Sequence, residues 1–177
     1  MPTLRQLAPL LLAPLIAACT SAPGPVAKAI GAASLTIADG SDAGQASLAV
    51  TGGRLELSID VRSMPPGQHG AHLHATGRCE GPAFASAGGH LNPQGKMHGL
   101  ENPQGSHLGD MPNLTVNPDG AGKLIFRLAG DPAVLQPSLF DSDGAAVVLH
   151  ASADDNRTDP SGNSGARIAC GVLQPVR

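Results

Sequence analysis

The chain has 177 residues, and 11 Lys and Arg against 14 Asp and Glu give a formal net charge of −3. That length can bury a core in one domain, and mild acidity without a Lys/Arg cluster argues against a nucleic-acid partner. With three Phe, no Tyr and no Trp, the core must rest on Val, Leu, Ile and Ala, and 23 Gly and 16 Pro suit a turn-rich all-β chain better than a helical bundle.

The chain opens on an address. Arg5 supplies a positive start, and residues 7–18 form an apolar run interrupted by Pro9 and Pro14, too short and broken to span a bilayer as a helix. Leu15-Ile16-Ala17-Ala18-Cys19 resembles the lipobox of bacterial lipoproteins. On that reading residues 1–18 are a signal peptide of the lipoprotein type, and Cys19 is lipidated and becomes the N-terminus. The protein is then exported to the cell envelope or periplasm and touches a membrane only through its anchor. An ordinary secretory signal, with Cys19 there by chance, is the alternative. Residues 19–32, with Pro23 and Pro25, read as a flexible tether. The remaining 33–177 read as one domain.

Three cysteines are an odd count for an exported protein. If Cys19 carries lipid, Cys79 and Cys170 remain as a pair, and an oxidising compartment makes a disulfide the default. It would close a loop of roughly 90 residues, worth on the order of 4 kcal/mol in the chain-entropy model. Two buried free thiols are the other reading.

Strand signals follow at short spacing. Residues 34–38, 46–50 and 54–61 alternate apolar and polar, the last as Arg-Leu-Glu-Leu-Ser-Ile-Asp-Val. Residues 114–116, 123–128, 146–150 and 168–173 continue the series. Asp39-Gly40, Thr51-Gly52-Gly53, Pro65-Pro66-Gly67 and Pro118-Asp119-Gly120 punctuate it as turns. The pattern predicts an antiparallel sandwich or barrel with no internal repeat and no long helix. Two stretches, 76–111 and 152–166, lack strand pattern and are dense in Gly, Pro, Asn and Asp. Structureless loops of this length inside a compact domain are functional or disordered.

Six of the seven histidines fall in or beside these loops in a pattern that core packing does not produce. His72 and His74 are two apart, so on a strand both rings face one side. His69, beyond Gly70, does not join them and reads as a structural histidine bonded to backbone. His98, His107 and Asp110 offer two imidazoles and a carboxylate from one loop. With His90 they make the N3O set that zinc accepts readily. His72, His74 and His150 with His90 make an all-nitrogen set suited to copper. His90 would then serve both ions, one through each ring nitrogen, which the spacing permits without showing it.

The string Gly67-Gln68-His69-Gly70-Ala71-His72-Leu73-His74, the Gly89-His90-Leu91-Asn92-Pro93 step, His98-Gly99, His107-Leu108-Gly109-Asp110 and residues 162–171 (Gly-Asn-Ser-Gly-Ala-Arg-Ile-Ala-Cys-Gly) together resemble copper–zinc superoxide dismutases of the bacterial exported type. The resemblance runs from about Leu35 to Leu173. It implies an eight-stranded Greek-key β-barrel, a flattened sandwich with two long functional loops. It implies one copper per chain on His72, His74, His90 and His150, and one zinc on His90, His98, His107 and Asp110, with His90 bridging. Cys79 and Cys170 match the family disulfide, Arg167 the arginine that receives the anion beside copper, and Asp154 the carboxylate that links His72 to His98. The implied reaction converts superoxide to dioxygen and hydrogen peroxide while copper cycles between Cu(II) and Cu(I), with His90 as proton donor and zinc ordering the site. Its implied purpose is protection of the envelope from extracytoplasmic superoxide.

The chain departs from the family in places. It has no Tyr or Trp for an aromatic interface, which leaves the oligomeric state, monomer or homodimer, open. Asp154, Asp155 and Asp159 make the second loop acidic around Arg157, and the steering lysines of some family members have no clear counterpart, although Lys96 is a candidate. Two rival functions remain: a copper carrier, which would need no anion receptor at Arg167, and a zinc-only structural domain, which would have lost copper histidines that are all present here.

Overall fold

Alternation sets the direction of each strand. In the structure, a computed structural model that describes residues 27–176, Leu55, Leu57, Ile59 and Val61 of the third strand point inward and Glu56, Ser58 and Asp60 point out. The elements in chain order are β1 (Lys28–Ile37), β2 (Asp42–Thr51), β3 (Arg54–Val61), β4 (Gly67–His69), β5 (Ala71–His74), β6 (Leu114–Val116), β7 (Gly122–Arg127), α1 (Pro132–Leu139), β8 (Ala145–His150) and β9 (Arg167–Pro175). The signal segment, Cys19 and the start of the tether lie outside the described residues. Residues 28–32, expected as tether, instead belong to β1, where Lys28 pairs with Val50. Gly31, Ala29, Ala32 and Ala33 are too small to give an alternation signal there.

All strand pairings are antiparallel, in the order β4-β6-β7-β3-β2-β1-β9-β8-β5. The two ends of that order, β4 and β5, are separated in sequence by Gly70 alone, so the sheet closes on itself through one residue. Counting β4 and β5 as one bent strand turns nine segments into the eight expected. The β3–β4 and β7–β8 connections pass over other strands, as a Greek key requires. α1 was not foreseen. Its signal was local: Asp131 Oδ1 accepts from the amide of Ala133 at 2.8 Å, Pro132 takes the first turn, and Leu135 and Leu139 are buried.

β8 is buried on both faces, and this places the site. Ala145, Val147 and Leu149 point into the barrel core. Ala146 and Val148 point outward into a second apolar cluster with Phe84, Ala87 and Cys170. β5 shares the division, with Ala71 and Leu73 in the core and His72 and His74 on the outer face, opposite Val148 and Ala146. A cover is therefore needed outside the barrel, and the long loops supply it. Residues 75–113 run back along β5: the Leu91 amide donates to Leu73 O at 2.8 Å, the Leu73 amide to Gly109 O at 2.9 Å, and the Ala75 amide to Gly89 O at 2.9 Å. The Cys79–Cys170 disulfide, spanning 91 positions, ties this loop to β9. Residues 151–166 close the other side.

Candidate metal centre

Three strand-borne histidines converge first. His72 and His74 share the outer face of β5, and His150 ends neighbouring β8, its amide donating to Gly70 O at 2.9 Å. His90 comes from the loop, stacked on His72 with ring centroids 3.9 Å apart. The four can each offer a ring nitrogen within 4.8 Å of the others.

Which nitrogen faces inward is fixed by what the other one bonds. His72 Nε2 donates to Asp154 Oδ2 at 2.6 Å, His74 Nδ1 to Gly88 O at 2.9 Å and His150 Nδ1 to Gly165 O at 3.1 Å. Each acceptor lacks a proton, so each ring presents a bare lone pair on its far nitrogen. Those nitrogens, His72 Nδ1, His74 Nε2 and His150 Nε2, together with His90 Nε2, are buried without a partner. Among the described residues only Thr51 Oγ1 shares that condition. Buried polar atoms are almost always satisfied, so four orphans aimed at one point fit a bound cation. Burial holds the three strand-borne rings neutral, pushing His72 and His150 down to about 4 and His74 to about 2.

The second set lies in the loop. Asp110 Oδ1 stands 2.9 Å from His90 Nδ1, 3.1 Å from His98 Nδ1 and 3.2 Å from His107 Nδ1. Asp110 Oδ2 is already occupied, accepting from the amides of Gly99 at 2.8 Å and His107 at 2.9 Å. The backbone thus aims one carboxylate oxygen at three ring nitrogens, an N3O group. Here the electrostatics reverse. Burial pulls His98 down, but hydrogen bonds to Asp110 and Asp154 outweigh it and hold the ring up at about 9. Burial raises the Asp110 carboxyl, and bonds from His90, His98 and Gly99 overcome this and hold it well below the usual carboxylate range.

Asp154 joins the two sets, with Oδ2 on His72 Nε2 and Oδ1 on His98 Nε2 at 3.1 Å. The Asn113 side chain fixes Asp154 by a reciprocal pair, accepting from its amide at 2.7 Å and donating to its carbonyl at 2.9 Å. Gly162 leaves the necessary space, since a Cβ there would collide with Asp154 Oδ1 and lie 2.7 Å from His98 Nε2. Neither residue was found from the sequence. Asn113 sits three after Asp110, but nothing local marks its partner. Gly162 was legible only as the first residue of the 162–171 motif, with no role of its own.

Arg167, at the start of β9, points into the cleft. Its guanidinium donates to Phe84 O and Gly88 O, both at 2.6 Å. The Gly88 carbonyl also accepts from His74 Nδ1, so one backbone oxygen positions both the arginine and a ring of the four-histidine set. Among the described residues Arg167 forms no ion pair. Pairing with Asp154, Asp155 or Asp159, the purely structural alternative, is therefore not what the side chain does. The cleft is about 520 Å³ and is lined by His74, His90, Lys96, His150, Asp159 and Arg167 among others. His69 lies outside both sets, with ring nitrogens 2.7 Å from His150 O and 2.8 Å from Pro65 O, backbone contacts as expected.

A closed antiparallel barrel that carries an all-nitrogen set fused to an N3O set through one shared ring defines a dinuclear metalloprotein. Residues 42–173 match the family model described as copper/zinc superoxide dismutase. A superoxide dismutase [Cu-Zn] of Aquifex aeolicus is 40% identical over 147 residues, covering 80% of this chain and 85% of that one. A SOD-like protein from Bacillus subtilis, known from its crystal structure, superposes with a TM-score of 0.75 at 39% identity, over 81% of this chain and 97% of that chain. The Cu/Zn superoxide dismutase from Brucella abortus superposes at 0.62 with 27% identity, over 81% and 98%. The chain belongs to the copper/zinc superoxide dismutase family, whose members are oxidoreductases that use copper and zinc.

Proposed function

We propose that this protein dismutates superoxide at a centre in which His72, His74, His90 and His150 hold copper and His90, His98, His107 and Asp110 hold zinc. The observation that carries the assignment is the convergence of four buried ring nitrogens with no partner. When bound, copper supplies the alternate one-electron oxidation and reduction that turn two superoxide ions and two protons into dioxygen and hydrogen peroxide.

The chain's own residues do the rest. Arg167 is a cation at any working pH, and its two carbonyl tethers hold the guanidinium beside His74, where it receives the anion. His90 is the one ring with a nitrogen in each set, Nε2 toward the four-histidine group and Nδ1 toward Asp110. Its Nε2 can hold a proton and pass it to the departing peroxide. Asp154 fixes the tautomers of His72 and His98 together, so a change at one set is felt at the other. The Cys79–Cys170 disulfide holds the loop that carries Gly88 and His90. No helix among the described residues is long and apolar enough to cross a membrane, and lipidation at Cys19 would anchor the enzyme in the cell envelope, where it removes extracytoplasmic superoxide. The mass of the mature N-terminus tests the anchor, since an unmodified start elsewhere would refute it. Superoxide consumption, measured alongside metal content on the purified protein, tests the activity.

A further inference from the structure

Asp159, like Asp154, is a carboxylate of the second loop that contacts the zinc-type set without belonging to it. Its Oδ1 accepts from the backbone amide of His98 at 2.7 Å. The same oxygen lies 3.9 Å from His107 Nε2, within reach of a small rotation or one bridging water. The other ring nitrogens around the set are assigned. His98 Nε2 bonds Asp154, and His90 Nε2 faces the four-histidine group. His107 directs Nδ1 at Asp110, which leaves Nε2, on the cleft side, as the ring nitrogen with no hydrogen bond to another residue. Metal-ligating imidazoles nearly always donate that second N–H to a carboxylate, carbonyl or water, and losing the acceptor typically costs 10–100-fold in metal affinity.

Asp159 is also on the wall of the cleft, its side chain 39% exposed. A carboxylate there works against capture of an anion. Loop anchoring alone does not require it, because Glu101 already ties residues 151–166 to the first loop through an ion pair with Arg157 at 2.6 Å.

We propose that Asp159 is a positioning residue for the zinc site: it completes the hydrogen bonding of His107 through the ring nitrogen that zinc leaves free, while fixing the backbone of His98. The inference rests on the proposed zinc assignment.

The test is zinc affinity of the full mature chain, measured by competition with a chromophoric chelator using zinc alone. Wild type, Asp159→Asn, Asp159→Glu and Asp159→Ala are compared, with the His107 ring N–H followed by NMR in the zinc-loaded proteins. Asp159→Asn keeps an acceptor for the His98 amide and loses the charge facing His107. The expected result is zinc binding about tenfold weaker in Asp159→Asn and weaker again in Asp159→Ala, partial recovery in Asp159→Glu, and a displaced, faster-exchanging His107 N–H in Asp159→Asn. Wild-type affinity and an unmoved His107 N–H in Asp159→Asn would overturn the proposal and reduce Asp159 to a loop anchor, whether or not Asp159→Ala folds. A wild-type chain that takes no zinc would instead overturn the functional reading from which this one follows.

Discussion

The two histidine sets meet in one ring, yet they are built on opposite principles. His72, His74 and His150 stand on paired strands, their outward nitrogens fixed by carbonyls and Asp154, and burial keeps all three neutral. His98, His107 and Asp110 stand on a loop without regular structure, and carboxylates on both sides of His98 hold that ring protonated. The sheet-borne set is thus already in the protonation state a metal needs. The loop-borne set must give up a proton to bind one, and a bound metal in turn closes the loop. Rigid strands suit the ion proposed to do redox chemistry, and the loop suits the ion proposed to organise structure.

Single substitutions should separate the sets. His150→Ala is expected to abolish dismutation while zinc stays bound, because His150 belongs only to the sheet-borne set. His98→Ala is expected to lose zinc and loosen residues 75–113, seen as faster limited proteolysis. Near-normal turnover in His150→Ala would break the division between sets.

Arg167 tests the cleft rather than either metal. Arg167→Ala should lower the second-order rate by about tenfold or more, at least ~1.4 kcal/mol of lost transition-state stabilisation, with both metals retained. The deficit should be larger at low salt, where long-range attraction contributes most. An unchanged rate and salt dependence would return Arg167 to a structural role.

How far the sequence reached follows the same divide. His72 and His74 were legible because i and i+2 on a strand share a face, and His69 because a glycine separated it from them. The loop-borne group was legible as a donor set, but its arrangement was not, because residues 75–113 take their course from pairing with β5 and from the disulfide rather than from any local period. For the same reason Asn113 was passed over and Asp159 was read only as loop acidity, since each contacts a segment about 40 to 60 positions away. β4 was missed because its three residues are too few to alternate, and β1 was shortened because small residues mask its start.

The two sets should also differ in proton release. With His98 raised to about 9 in the metal-free chain, zinc binding at pH 7 should release about one proton from Nδ1 of that ring. Apparent zinc affinity should rise about tenfold per pH unit from 7 and level off near 9. Copper binding should release almost none from His72, His74 or His150, which are neutral in that range. Stability of the metal-free chain follows with opposite signs. The His98 contribution is present below its ordinary value of 6.5 and lost as pH rises toward 9. The lowered rings, which take up protons more readily when unfolded, cost stability as pH falls from 6.5 toward 4. Calorimetry in two buffers of different ionisation enthalpy measures the proton count, and equal release on binding either metal would erase the contrast.

Elemental analysis of the purified mature protein after exposure to both metals, with superoxide consumption measured on the same sample, tests the central claim most directly. Two four-ligand sets sharing His90 require about one copper and one zinc per chain and rapid superoxide removal. A reproducible zinc-only protein after copper loading, inert toward superoxide, would contradict the account and favour a structural role for the fold.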